Sequence, residues 1–158
     1  MTPPAAGDSR SSTLREYHRV LVGISWALIG GVAAMAGGAW FLVATGTFQP
    51  FLGFTTPVRI GIAIFLVLLL LATGPLGRAV GGGEPPEDEA AALARVQTRV
   101  MVGMAVRDAV GARAAVLILL SGDLLVGGTV AAATLGAMVS DLPAIDDLEA
   151  AVRGLDDL

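Results

Sequence analysis

Between Arg19 and Arg59 not one charged side chain interrupts the chain. Its densest part, Val20 to Thr45, is longer than the roughly 20 apolar residues that carry a helix across the hydrocarbon core of a bilayer. A stretch of that kind needs either a large protein core or a lipid solvent. The chain has 158 residues, 54% of them hydrophobic and only 15% charged, with a mean hydropathy of +0.75. A soluble domain of this size cannot hide so much apolar surface, because small domains keep a large surface for their volume. The expectation is an all-α, polytopic membrane protein with one membrane domain over residues 20–140.

Residues 1–19 carry Pro3, Pro4, Arg10, Arg15 and Arg19 without apolar periodicity, and read as a disordered polar tail. The first span is placed at 20–45. The same region has the layout of a signal peptide, with Ala34-Met35-Ala36 as a small-x-small site, but the apolar character continues through Trp40-Phe41-Leu42-Val43, which favours an uncleaved helix. Gly46 to Pro57, with Phe48, Pro50, Phe51 and Phe54, forms a turn-rich aromatic loop suited to the headgroup interface. A second span, 58–77, lies between Arg59 and Arg78, and the glycine and proline run Gly81 to Pro86 makes 78–86 a linker.

Glu87-Asp88-Glu89 then places acid at the start of a long helix, where the macrodipole favours it. Leu93, Val96 and Val100 give that helix an apolar stripe, and it becomes wholly apolar at Ala114 to Leu120, giving a third span at 100–120. Ser121-Gly122-Asp123 reads as a tight turn and 124–140 as a fourth span. In residues 141–158, Ile145, Leu148, Val152, Leu155 and Leu158 recur three or four apart among Asp146, Asp147, Glu149, Asp156 and Asp157. This is a short acidic amphipathic helix, able to dock on its own domain or on a partner and repelled by anionic lipid.

The third span contains Arg107, Asp108 and Arg113, each costing about 3 kcal/mol at mid-bilayer on insertion scales. In a three-span alternative, residues 86–112 lie on the surface and Ala114 to Ser140 cross once. Four spans gather the N-terminal arginines, Arg78, Arg95, Arg99 and Arg153 on one side with Arg59 near the other, as the positive-inside rule asks. Three spans preserve all of this except Arg153. The turn signal and the cost of burying Asp123 favour four spans arranged as two hairpins, with both termini on the cytoplasmic side of the inner membrane.

A formal net charge of −4 provides no field for nucleic acid. The absence of Cys and the single His18 leave no thiolate or His-based set of ligands for a metal, haem or iron–sulfur cofactor. Phosphate-loop, nucleophile-elbow, zinc-protease and paired-carboxylate motifs are missing, so a non-enzyme without cofactors is expected. Trp26 and Trp40 suit an interface and Asp123 suits a turn, so none is assigned chemistry.

Two features invite a functional reading. Gly23, Ala27 and Gly31 form one small-residue stripe with Gly30, Ala34 and Gly38 beside it, and Gly128, Ala132 and Gly136 repeat the pattern in the last span. Such faces let helix backbones approach closely, either within the chain, which is the simpler account, or against a second copy or another membrane protein. Asp108, with Arg107 and Arg113, is the ion-coupling candidate, because a carboxylate in a dry helical setting can exchange a proton or cation. The simpler account is a half-inserted segment with snorkelling arginines and Asp108 paired to one of them. Steps of 100° per residue also keep the three off one shared face.

The stretch from about Ala91 to Ser140, with Met104-Ala105-Val106-Arg107-Asp108-Ala109-Val110-Gly111 and Leu119-Leu120-Ser121-Gly122-Asp123-Leu124, resembles a group of small bacterial four-helix integral membrane proteins. Their layout is two helical hairpins, an Arg-rich link, and a third helix with an Ala-x-x-Glu-like step before a Gly-Asp turn; the resemblance implies no activity. The same stretch is similar to the carboxylate-bearing helix of the rotary ATP synthase proteolipid c subunit. That resemblance would put Asp108 at the proton-carrying position, while Arg107 and Arg113, the hairpin order and the loop depart from that family. The resulting expectation is an accessory or structural subunit of a membrane complex, with ion-coupled transport through Asp108 as the alternative.

Overall fold

The computed structural model describes residues 6–50, 52–81, 86 and 88–156. They form five helices, α1 (Ala6–Ala44), α2 (Thr56–Gly81), α3 (Glu89–Ser121), α4 (Leu124–Ser140) and α5 (Ile145–Asp156), and no strand occurs among the described residues. Residues 82–85 of the expected 78–86 linker, together with Phe51, Glu87 and Leu158, lie outside the described residues, while α2 runs on to Gly81 and so takes in 78–81, which were expected to be linker.

Local chemistry sets the helix ends. Asp88 caps α3, its carboxylate accepting from the Ala91 amide at 2.7 Å. Gly122, at φ 69°, ends α3 in the left-handed conformation that glycine adopts without steric penalty. Asp123 then caps α4 by accepting from the Val126 amide at 3.0 Å. The chain therefore reverses at Ser121-Gly122-Asp123, and Ala114 to Ser140 do not form the single continuous crossing of the three-span alternative.

α3 is the central helix and packs against all four others. α1 runs parallel to it and α2 and α4 antiparallel, as three contact layers show. Leu14, Leu21 and Leu93 meet α5 through Leu148 and Val152 at one end. Ile29, Val32, Met104 and Met138 pack in the middle, and Ala36, Ala39, Leu66, Val110, Ala114, Ile118, Val130 and Ala131 pack toward the other end. The amphipathic α5 thus docks its apolar face on its own domain. At the opposite end Arg59 bridges to Asp123 at 3.4 Å, and the Leu52 amide donates to the Leu120 carbonyl.

Three expectations are corrected. Residues 1–19 are not a disordered tail throughout, since α1 begins at Ala6. Leu14 finds a buried place beside Leu93 and α5, and the Tyr17 hydroxyl donates to Gln97. The first hairpin is not a closely packed pair: among the described residues the backbones of α1 and α2 stay apart, and each packs on α3 and α4 instead.

The third correction concerns the spans. Ser12–Ala44 and Thr56–Leu76 are long and apolar enough to cross a membrane, and Leu124–Ser140 with Ile145–Arg153, bent by 50°, would make a third. That is fewer than the four expected. At 17 residues α4 is about 25 Å long, short of a hydrocarbon core of about 30 Å. α3 is long enough but carries Arg95, Arg99, Arg107, Asp108 and Arg113. Neighbouring helices cover much of it, so its composition reflects the bundle interior. The outer faces of α1 and α2 within these spans are apolar, with Ile60, Ile64, Phe65, Leu68 and Leu71 of α2 and Trp26, Trp40 and Phe41 of α1 exposed.

Candidate functional site

The ion-coupling candidates are not brought together. Arg107 turns inward and is 7% exposed, pairing with Asp141 at the C-terminal end of α4 rather than with its neighbour Asp108. Asp108 is half-buried on the flank of α3 and has no hydrogen-bonding or ionic partner among the described residues. Arg113 is exposed and donates only to the Ala109 carbonyl at 3.2 Å. Three successive directions around α3 thus send one charge to the core, one to the flank and one to the outside, as the helical geometry requires.

Around Arg107 lies a cavity of about 500 Å³, the size of a small-molecule pocket. Its walls include Thr73 of α2, Arg99 and Gly103 of α3, and Ser140, Asp141 and Asp147 from the α4–α5 corner. Gly103 leaves room for the guanidinium, since a Cβ there would come within 3.3 Å of Arg107 Nη1. The corner itself is held down by His18, whose Nε2 lies 2.9 Å from the Pro143 carbonyl. Sequence reasoning singled out Arg107 but missed Asp141, Arg99 and the cavity, because these residues meet only once α4 folds back on α3. Among the described residues no three His, Cys, Asp or Glu converge into a metal-binding group.

The small-residue stripes point outward. A Cβ added at Gly23, Gly30, Gly31 or Gly38 would meet nothing within 4 Å, and Ala27 and Ala34 are exposed between them. On α4, Gly136 is equally open, Ala132 is exposed, and Gly128 approaches only Trp40, at 4.0 Å. The close approaches inside the bundle fall on other glycines. Gly111 of α3 sits against Val32, and Gly127 of α4 against the Ile118 side chain and the Ala114 carbonyl.

Compared with protein-family models, curated proteins and solved structures, the chain matches none of them.

Proposed function

We propose that this chain is a non-catalytic assembly or accessory subunit of a membrane complex, contacting its partner through the outer face of α1. One observation carries the reading. Gly23, Ala27, Gly30, Ala34 and Gly38 line a helix face that packs against nothing in the chain, and backbones that approach closely in lipid gain dispersion contacts unavailable to bulkier faces. In this reading α1 and α2 cross the inner membrane of a bacterium, and α3 and α4 pack against them to complete the bundle. The end carrying Arg15, Arg19, Arg95, Arg99 and Arg153 is cytoplasmic.

Single cysteines introduced into this Cys-free chain test both parts in native membranes. A cysteine at position 27 is expected to cross-link to a second copy or another membrane protein, and Gly30→Leu to weaken that association about tenfold or more, equivalent to at least 1.4 kcal/mol. Cysteines at positions 48 and 155 are expected to be labelled from outside and protected, respectively. No cross-link from any position along the α1 face, with a chain recovered alone and monodisperse in mild detergent, would sink the assembly reading.

The alternative is a proton- or ion-coupled transport component using Asp108. It is favoured by Asp108 having no ionic partner among the described residues, Arg107 being committed to Asp141. It requires flux in proteoliposomes that Asp108→Asn reduces at least about tenfold, in keeping with the loss of an intramembrane charge. Flux untouched by that change removes Asp108 from any such role.

A further inference from the structure

The cavity around Arg107 sits where two helices leave their apolar segments. The apolar part of α2 ends at Leu76, and Thr73 and Gly74 line the cavity; α4 ends at Ser140, which lines it too. In a bilayer this level is that of the lipid headgroups and phosphates.

Its polar groups are unequally satisfied. Both carboxylates are engaged by the chain: Asp141 accepts from Arg107, and Asp147 accepts from the Ala144 amide at 3.3 Å. The guanidinium groups retain donors. Arg107, more than nine-tenths buried, keeps its Nε without an acceptor among the described residues, and Arg99 on the same wall has no ion pair or hydrogen bond among them. Unused planar N–H donors in a partly desolvated pocket call for an anion able to accept several hydrogen bonds at once, which is the chemistry of a phosphate group. Val96, Val100 and Leu142 complete the wall and offer apolar surface to whatever carries the phosphate.

We propose that this cavity is a binding site for a phosphate-bearing ligand held by Arg99 and Arg107, a site distinct from the assembly face on α1. The phosphate comes either from an anionic phospholipid headgroup or from a soluble phosphate ester, and both share the same recognition chemistry.

The test uses the full chain in mild detergent, with thermal unfolding followed by circular dichroism during titration with phosphatidylglycerol and, separately, with glycerol 3-phosphate. A ligand that binds the folded state raises the unfolding temperature saturably. Arg99→Gln, at an exposed position, is expected to weaken that response about tenfold, the scale of one charge-assisted hydrogen bond to phosphate. Arg113→Gln, on the same helix but outside the cavity, is expected to leave it unchanged. A response to phosphatidylglycerol alone identifies a lipid site, and a response to both probes identifies a site for the phosphate ester itself. The proposal is overturned by no saturable response to either probe, by a response that Arg99→Gln does not weaken, or by equal weakening from the two variants, which would mean general charge attraction.

Discussion

Gly111→Val is expected to lower the stability of the bundle by about 3 kcal/mol, the upper part of the usual range for overpacking a core. The first atom of the new side chain would fall on Val32, which is fully buried among Ile29, Met104 and Met138. Both Val32 methyl carbons and its Cβ lie within reach of that atom, so a rotamer change cannot clear it and α1 must move away from α3. Gly127→Val should behave alike, since its added carbon meets the Ile118 side chain and the backbone oxygen of Ala114, which cannot rotate aside. Gly30→Val, on the open face of α1, is expected to change stability by no more than about 0.5 kcal/mol, as at other sites with no packing partner. Equilibrium unfolding of the three variants in mixed micelles checks the contrast. Equal losses at positions 30 and 111 would mean that the outward face of α1 is packed after all.

That contrast also shows what can be read from residue patterns alone. The glycine spacing in Gly23, Ala27, Gly30, Ala34 and Gly38 marks a surface suited to close approach, yet spacing carries no information about which body approaches it. Gly111 and Gly127 each begin only one small-x-x-x-small step, to Ala115 and Ala131, and make the intimate contacts, because a single glycine suffices where one branched side chain, Val32 or Ile118, inserts. Helix boundaries were legible where short-range chemistry sets them. The Asp88 cap, the Gly122 reversal and the amphipathic period of α5 each depend on residues within a few positions of one another.

The number of membrane-competent helices was not legible by the same means, and the reason is solvent. Apolar length identifies helices long and apolar enough to cross a membrane, as α1 and α2 are, whereas α3 is wrapped by its neighbours and holds Arg107 inside the bundle. The same wrapping hid the cavity. Arg107 and Asp141 lie 34 positions apart and become partners only because α4 runs antiparallel to α3. The α4–α5 bend lowers Asp147 onto the cavity wall. Legible charge in a span thus pointed to the right helix and to one of the right residues, while its partner waited on topology.

Asp141→Ala should destabilise the protein by about 3 kcal/mol, the lower end of the range for stranding one member of a buried ion pair. The asymmetry of the pair sets both the sign and the limit. Asp141 is itself half exposed, so its removal frees little, but it leaves the Arg107 side chain, 9% exposed, without an ionic partner and with Nε already unmet. Arg107→Met removes the charge together with its desolvation penalty, keeps most of the side-chain volume against Gly103, and should cost less than about 1.5 kcal/mol. Asp141 then faces solvent at the helix end, where water takes over the hydrogen bonds that Arg107 supplied. The double variant Arg107→Met with Asp141→Ala is therefore expected to recover at least half of the loss seen in Asp141→Ala, an interaction energy that unfolding in mixed micelles can resolve. Additive losses would show that Arg107 draws its compensation from elsewhere in the cavity, and a single-variant loss below about 0.5 kcal/mol would mean that water reaches the guanidinium and that it is not buried in the folded bundle.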